Sequence, residues 1–91
     1  MTITIRLSAQ LRDYCGGVPD LRLVAPDVRT ALAECERLHP SLYKSVCDET
    51  GAVRRHVNIF VNSSNTRDGR GLDTKLTPGD VVTIIQAVSG G

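Results

Sequence analysis

The segment Thr2-Ile3-Thr4-Ile5-Arg6-Leu7 alternates polar and apolar residues. That period of two predicts a strand with Ile3, Ile5 and Leu7 on a core face and Thr2, Thr4 and Arg6 on the other. Leu11, Tyr14 and Cys15 lead to Gly16-Gly17, a turn signal. Leu21 to Val24 reads as a second strand, so residues 2–24 form a β-hairpin with a long connection. Asp27, after Pro26, is a good helix N-cap. Val28, Ala31, Leu32, Cys35 and Leu38 then recur at helical spacing and define one apolar face. Pro40 stops this helix near Leu38 or His39, because the residue before a proline is pushed away from helical dihedrals. Ser41 to Cys47 forms a shorter helical turn with Leu42 and Val46 on one side. Asp48 to Gly51 is a turn, and Val57 to Asn62 is a half-buried strand with Val57, Ile59 and Val61 on one face. Ser63 to Gly71 is polar and loop-like, and Leu72 to Leu76 holds a short edge strand. Thr77-Pro78-Gly79-Asp80 has Pro and Gly where a type II turn wants them. Val81 to Val88 is the last strand.

The order is hairpin, helix, strand, loop, short strand, strand. One main helix must cover one face of a mixed sheet of four to five strands. The first and last strands are expected as adjacent, parallel partners at the sheet centre, joined by a crossover that contains the helix. This is an α+β, β-grasp (ubiquitin-like) arrangement. The expectation is one domain over residues 1–91 with a flexible C-terminal tail at 87–91.

Composition narrows the function classes. With 41% apolar residues, no Trp, one Phe and two Tyr, the core must be modest and aliphatic. A net charge of +1, evenly mixed, gives no electrostatic reason to expect nucleic acid or membrane as a partner. The alternating N-terminus is not a signal peptide, and no apolar run approaches a membrane span. Cys15, Cys35 and Cys47 are an odd number at long spacings, which fits reduced thiols in the cytoplasm.

The last stretch, Ile84-Ile85-Gln86-Ala87-Val88-Ser89-Gly90-Gly91, is a strand that runs into a small Ser and two glycines. Read as a chain end, Gly90-Gly91 has no following segment to turn towards. Lacking Cβ atoms, it is thin and takes almost any dihedral. Such a tail can thread a narrow slot and offer its carboxylate to another protein. The expectation is that Gly91 is the reactive end of a carrier, with Ser89 and Gly90 as its slim tail.

Three parts of the chain resemble the MoaD/ThiS sulfur-carrier family: Val57-Asn58-Ile59-Phe60-Val61-Asn62; Leu76-x-Pro78-Gly79-Asp80-x-Val82-x-Ile84; and Ala87-Val88-Ser89-Gly90-Gly91. The resemblance covers essentially the whole chain, and the Gly-Asp turn and terminal Gly-Gly are its specific parts. Within the family the chain is most similar to the CysO branch, which serves cysteine biosynthesis. The resemblance implies a non-enzymatic carrier that binds no cofactor or metal itself. A ubiquitin-activating-type adenylyltransferase/sulfurtransferase would use ATP to adenylate Gly91, and a sulfur donor would convert the adenylate to a thiocarboxylate. A sulfur-accepting biosynthetic enzyme would take the sulfur, and a metal-dependent peptidase would release the product in the cysteine-type case. Two alternatives use the same tail: a MoaD-like small subunit of molybdopterin synthase, and a ubiquitin-like modifier joined to target lysines through Gly91. A passive β-grasp interaction module is a further class.

A partner needs a surface to grip. If Val57, Ile59 and Val61 face the helix, Phe60 faces out, as do Thr83 and Ile85 on the last strand. Phe60, Ile85 and Ala87 are therefore the expected apolar docking patch, rimmed by Arg6 and by Arg54 or Arg55, a composition typical of interfaces. The alternative is that Phe60 packs under a loop or at a dimer contact. Cys35 lies on the apolar helix face and belongs to the core. Cys15 and Cys47 are weak candidates for carrying persulfide, because no nearby charge activates them. His39 and His56 are isolated, which argues against a metal site. Gly69-x-Gly71 lacks the strand and helix of a phosphate cradle, and the sequon Asn62-Ser63-Ser64 has no secretory signal to give it meaning. Arg67, Arg70 and Lys75 read as a solvated loop face.

Overall fold

A computed structural model describes residues 2–87. The first strand, β1, spans Ile3–Leu7; a short helix α1, Ala9–Arg12, and a 3-10 turn, Asp13–Cys15, connect it to β2, Asp20–Leu23. Helix α2, Val28–Leu38, is followed at once by α3, Pro40–Val46. Then come β3, Val57–Val61, the two-residue β4, Ser64–Asn65, 3-10 turns at Thr66–Asp68 and Gly71–Asp73, and β5, Val81–Gln86. The five strands lie in the order β2-β1-β5-β3-β4. β1 and β5 pair in parallel at the centre, and the other neighbours are antiparallel. The central parallel pair and its helical crossover establish the β-grasp arrangement expected from the sequence.

Alternation explains which face is buried. Ile3, Ile5 and Leu7 of β1, Val57 and Ile59 of β3, and Val82 and Ile84 of β5 are all buried in one cluster with Val28, Ala31, Leu32 and Cys35 of α2 and Leu42 and Val46 of α3. Asp27 caps α2 by accepting a hydrogen bond from the Thr30 amide at 2.8 Å. That bond is the largest cause holding the Asp27 carboxyl below its usual range. Pro40 ends α2 and also opens α3, where its missing N–H is no loss at the first helical position.

Several expectations shift. Leu38 reads as part of the apolar helix face, yet it is 46% exposed at the last residue of α2, where α3 redirects the chain. The shorter helical turn expected after Pro40 is the seven-residue α3, which buries Leu42 and Val46 beside the main helix α2. The edge strand expected at Leu72 to Leu76 does not join the sheet. Gly71, with φ +59°, turns the chain into a 3-10 turn, and the following residues pair with the helix approach: Val28 donates its amide to the Thr74 carbonyl, and Leu76 to the Pro26 carbonyl. The fifth strand is instead β4, formed by the segment expected to be loop. Asn62, with φ 55°, makes the tight reversal that brings Ser64 opposite Val61. The type II turn is present: Gly79 has φ 91°, and the Asp80 amide donates to the Thr77 carbonyl at 3.0 Å.

Candidate functional site

The central strand β5 begins at a tied corner. The Asp80 carboxylate accepts hydrogen bonds from the Thr77 amide at 2.9 Å and the Asn62 side-chain amide at 3.2 Å. In return the Asn62 side-chain oxygen accepts from the Val81 amide at 3.1 Å. These bonds, the Thr77 amide's first, hold the Asp80 carboxyl below its usual range. The start of β5 is therefore fixed to the end of β3.

The other end of β5 is gripped from both sides. The Gln86 amide donates to the Ser8 hydroxyl at 3.2 Å, and the Ala87 amide donates to the His56 carbonyl at 2.7 Å. Ser8 also donates its own amide to the Ile84 carbonyl at 3.0 Å. The chain thus reaches Ala87 at the rim of the sheet, where β1 has just ended and β3 is about to begin. Four further residues span at most about 14 Å when extended, which sets the reach of any group carried at Gly91. Ser89, Gly90 and Gly91 themselves lie outside the described residues.

Beside this exit lies the sheet face opposite the helices. Strand register puts Asp20, Arg6, Thr83, Phe60 and Asn65 in one row across it, and Ile85 opposite Asn58 in the next. Phe60 is half-buried, while Ile85 is 39% exposed and Ala87 is exposed. Arg6 stands on this face, paired with Asp20 at 3.5 Å. Arg54 does not join it: its Nε donates to the Lys44 carbonyl at 2.9 Å, on the α3 side. Arg55 is exposed in the turn before β3. Arg67 reaches the edge of this face, donating to the Asn58 side-chain oxygen at 2.8 Å and to the Arg54 carbonyl at 2.9 Å. Sequence reasoning placed Arg67 on a solvated loop; the only hint was its closeness to the reversal at Asn62, which folds residues 64–67 back along β3.

The thiols are unsuited to carrying sulfur. Cys15, Cys35 and Cys47 are all buried and free. Burial pushes the Cys15 and Cys47 thiols up, and it raises Cys35 to about 12. A thiol held protonated is a poor nucleophile. Among the described residues no cluster of His, Cys, Asp and Glu is arranged to hold a metal ion, and no helix is long and apolar enough to cross a membrane.

Fold and site together define a ubiquitin-like β-grasp protein that presents the end of its central strand at the rim of the sheet. The ThiS family matches residues 5–91, nearly the full length, and the chain belongs to that family. The sulfur carrier protein CysO of Mycobacterium tuberculosis is 30% identical, with 100% of both chains aligned. A chain of the crystal structure of the Amycolatopsis orientalis BexX/CysO complex superposes with TM-score 0.89 at 27% identity, covering 98% of this chain and 99% of that one. Small archaeal modifier protein 1 of Methanosarcina acetivorans superposes with TM-score 0.85 at 30% identity, covering 99% and 96%.

Proposed function

We propose that this protein is a sulfur carrier that acts through a thiocarboxylate on Gly91, as a co-substrate of partner enzymes and not as a catalyst. The observation that supports this reading most is the delivery of β5 to the sheet rim at Ala87 while every thiol of the chain is buried. The alignment with proteins named sulfur carriers along their entire length supports it independently.

The chemistry needs two partner steps. A carboxylate is a weak acyl electrophile, so activation splits one hard substitution into two easier ones. In the first, a Gly91 carboxylate oxygen attacks the α-phosphorus of ATP in an enzyme of the ubiquitin-activating type, and pyrophosphate leaves. In the second, hydrosulfide or a persulfide sulfur attacks the acyl carbon and AMP leaves. With hydrosulfide the product is the thiocarboxylate directly; with a persulfide a reducing thiol must then cleave the S–S bond. ATP belongs to the partner, and so does any metal used downstream. A sulfur-accepting biosynthetic enzyme then consumes the thiocarboxylate, with cysteine-type biosynthesis favoured by the CysO relatives. Reduced, buried thiols suit a cytoplasmic setting.

The body of the domain serves as the handle. Phe60, Ile85 and Ala87 form the apolar part of the docking surface, and Arg6 and Arg67 supply its positive rim. A second reading, a modifier joined to other proteins through Gly91, is favoured by the match to small archaeal modifier protein 1. Intact-mass spectrometry separates them. After incubation with activating enzyme, ATP and sulfide, a carrier gains about 16 Da, the difference between sulfur and oxygen in the acyl product. A modifier appears on larger proteins instead, and a chain unchanged in mass refutes both.

A further inference from the structure

Ser8 stands at the N-cap of α1, where a hydroxyl ordinarily accepts a hydrogen bond from its own helix. It makes no such bond. Its hydroxyl instead accepts the Gln86 amide at 3.2 Å, a contact between residues 78 positions apart. The reason lies in the sheet. Parallel pairing of β1 with β5 ends at Leu7 and Ile84, because the chain turns into α1 at Ser8. The next β5 amide directed towards β1 is that of Gln86, and no β1 carbonyl is left to receive it. The Ser8 hydroxyl takes the carbonyl's place. One residue on, the Ala87 amide points the other way, to the His56 carbonyl at 2.7 Å.

We propose that Ser8 is a positioning residue for tail activation: it fixes the direction in which the tail leaves the sheet. This inference rests on the carrier reading. With the hydroxyl present, the end of β5 is held on both sides. Without it, the end is tied to β3 alone, and a two-stranded end is marginal in water. An activating enzyme that grips the open face would then meet a tail start that samples several directions, and fewer encounters would place Gly91 beside ATP. The open face itself is unchanged, so the loss falls on kcat and not on KM.

The test compares wild type, Ser8→Ala and Ser8→Thr in steady-state adenylation with the activating enzyme and ATP, together with hydrogen exchange at the Gln86 amide. Because the Ser8 hydroxyl caps nothing on α1, Ser8→Ala removes no helix cap. Expected is a kcat lower by about fivefold in Ser8→Ala, the factor an ordinary net hydrogen bond is worth. KM stays within twofold, Gln86 exchanges faster, and Ser8→Thr recovers both kcat and protection. The inference is overturned if Ser8→Ala matches wild type in kcat, if the loss falls on KM alone, if Ser8→Thr does no better than Ser8→Ala, or if Gln86 exchange is unaltered. A wild-type chain that is never adenylated refutes the carrier reading and with it the kinetic role of Ser8. In that case the Gln86 amide still reports, with no partner enzyme, whether Ser8 holds the strand end.

Discussion

Replacing Phe60 with Asp separates the handle from the fold. Phe60 is half-buried on the open sheet face, in the row that contains Arg6 and Thr83. Burying a whole Phe side chain contributes up to about 3 kcal/mol, so a half-buried ring contributes on the order of 1.5 kcal/mol. The poor strand propensity of Asp adds about 1 kcal/mol. The sum, roughly 2.5 kcal/mol, is smaller than the 5–15 kcal/mol typical of a small domain, so the variant folds. A buried aromatic anchor at an interface is worth 2 kcal/mol or more, which raises KM for the activating enzyme at least about 30-fold. The assay is steady-state adenylation of wild type, Phe60→Asp and Phe60→Leu, with circular dichroism to confirm folding. Phe60→Leu keeps an apolar group and should lose less than Phe60→Asp. A folded Phe60→Asp chain with KM within threefold of wild type refutes the docking face.

The Asp80 corner predicts a pH signature. Its carboxyl titrates below the usual range in the folded chain, so its stabilisation is fully present above the unfolded value, about 3.9, and is lost as pH falls through the folded value. Asp80→Asn should therefore be less stable than wild type at neutral pH, by about 1 kcal/mol given that these bonds face solvent. The gap should close below pH 4; denaturant melts that show a constant gap from pH 7 to 3 contradict the assignment. The buried thiols predict slow labelling. With Cys35 raised to about 12, its thiolate fraction at neutral pH falls roughly a thousandfold below that of a free cysteine. An aromatic disulfide reagent should label none of the three rapidly in the folded chain and all three in guanidinium chloride, whereas one fast native thiol would reopen the persulfide route.

The fold was legible where burial alternates strictly. Ile3, Ile5 and Leu7 show their core face in sequence because Thr2, Thr4 and Arg6 alternate with them; Val82 and Ile84 stand out less, since Val81 and Ile85 on the opposite face are apolar too, and their burial followed from alternation counted with β3. Helix α2 was legible from its apolar spacing and from Asp27. The β4 pairing was not: two residues, Ser64 and Asn65, carry no period, and the reversal depends on Asn62 adopting a positive φ. Leu72 to Leu76 misled because apolar spacing cannot tell a sheet edge from a segment packed beside the helix approach. On the open sheet face, the positions of Phe60, Ile85 and Arg6 were legible by counting alternation from the core face. Arg54 and Arg67 exchanged roles because long side chains before a strand or in a loop follow local carbonyls, Lys44 for one and Arg54 for the other. Ser8 was invisible to sequence reading, since its partner lies 78 residues away.

The central claim is that sulfur is held at one acyl carbon. Tandem mass spectrometry of the C-terminal peptide, taken after incubation with activating enzyme, ATP and sulfide, tests it most directly. The account predicts a gain of about 16 Da confined to the fragment that contains Gly91, and its loss when one alanine is appended after Gly91. Sulfur found on Cys15, Cys35 or Cys47, or an appended chain that is charged as well as wild type, contradicts it.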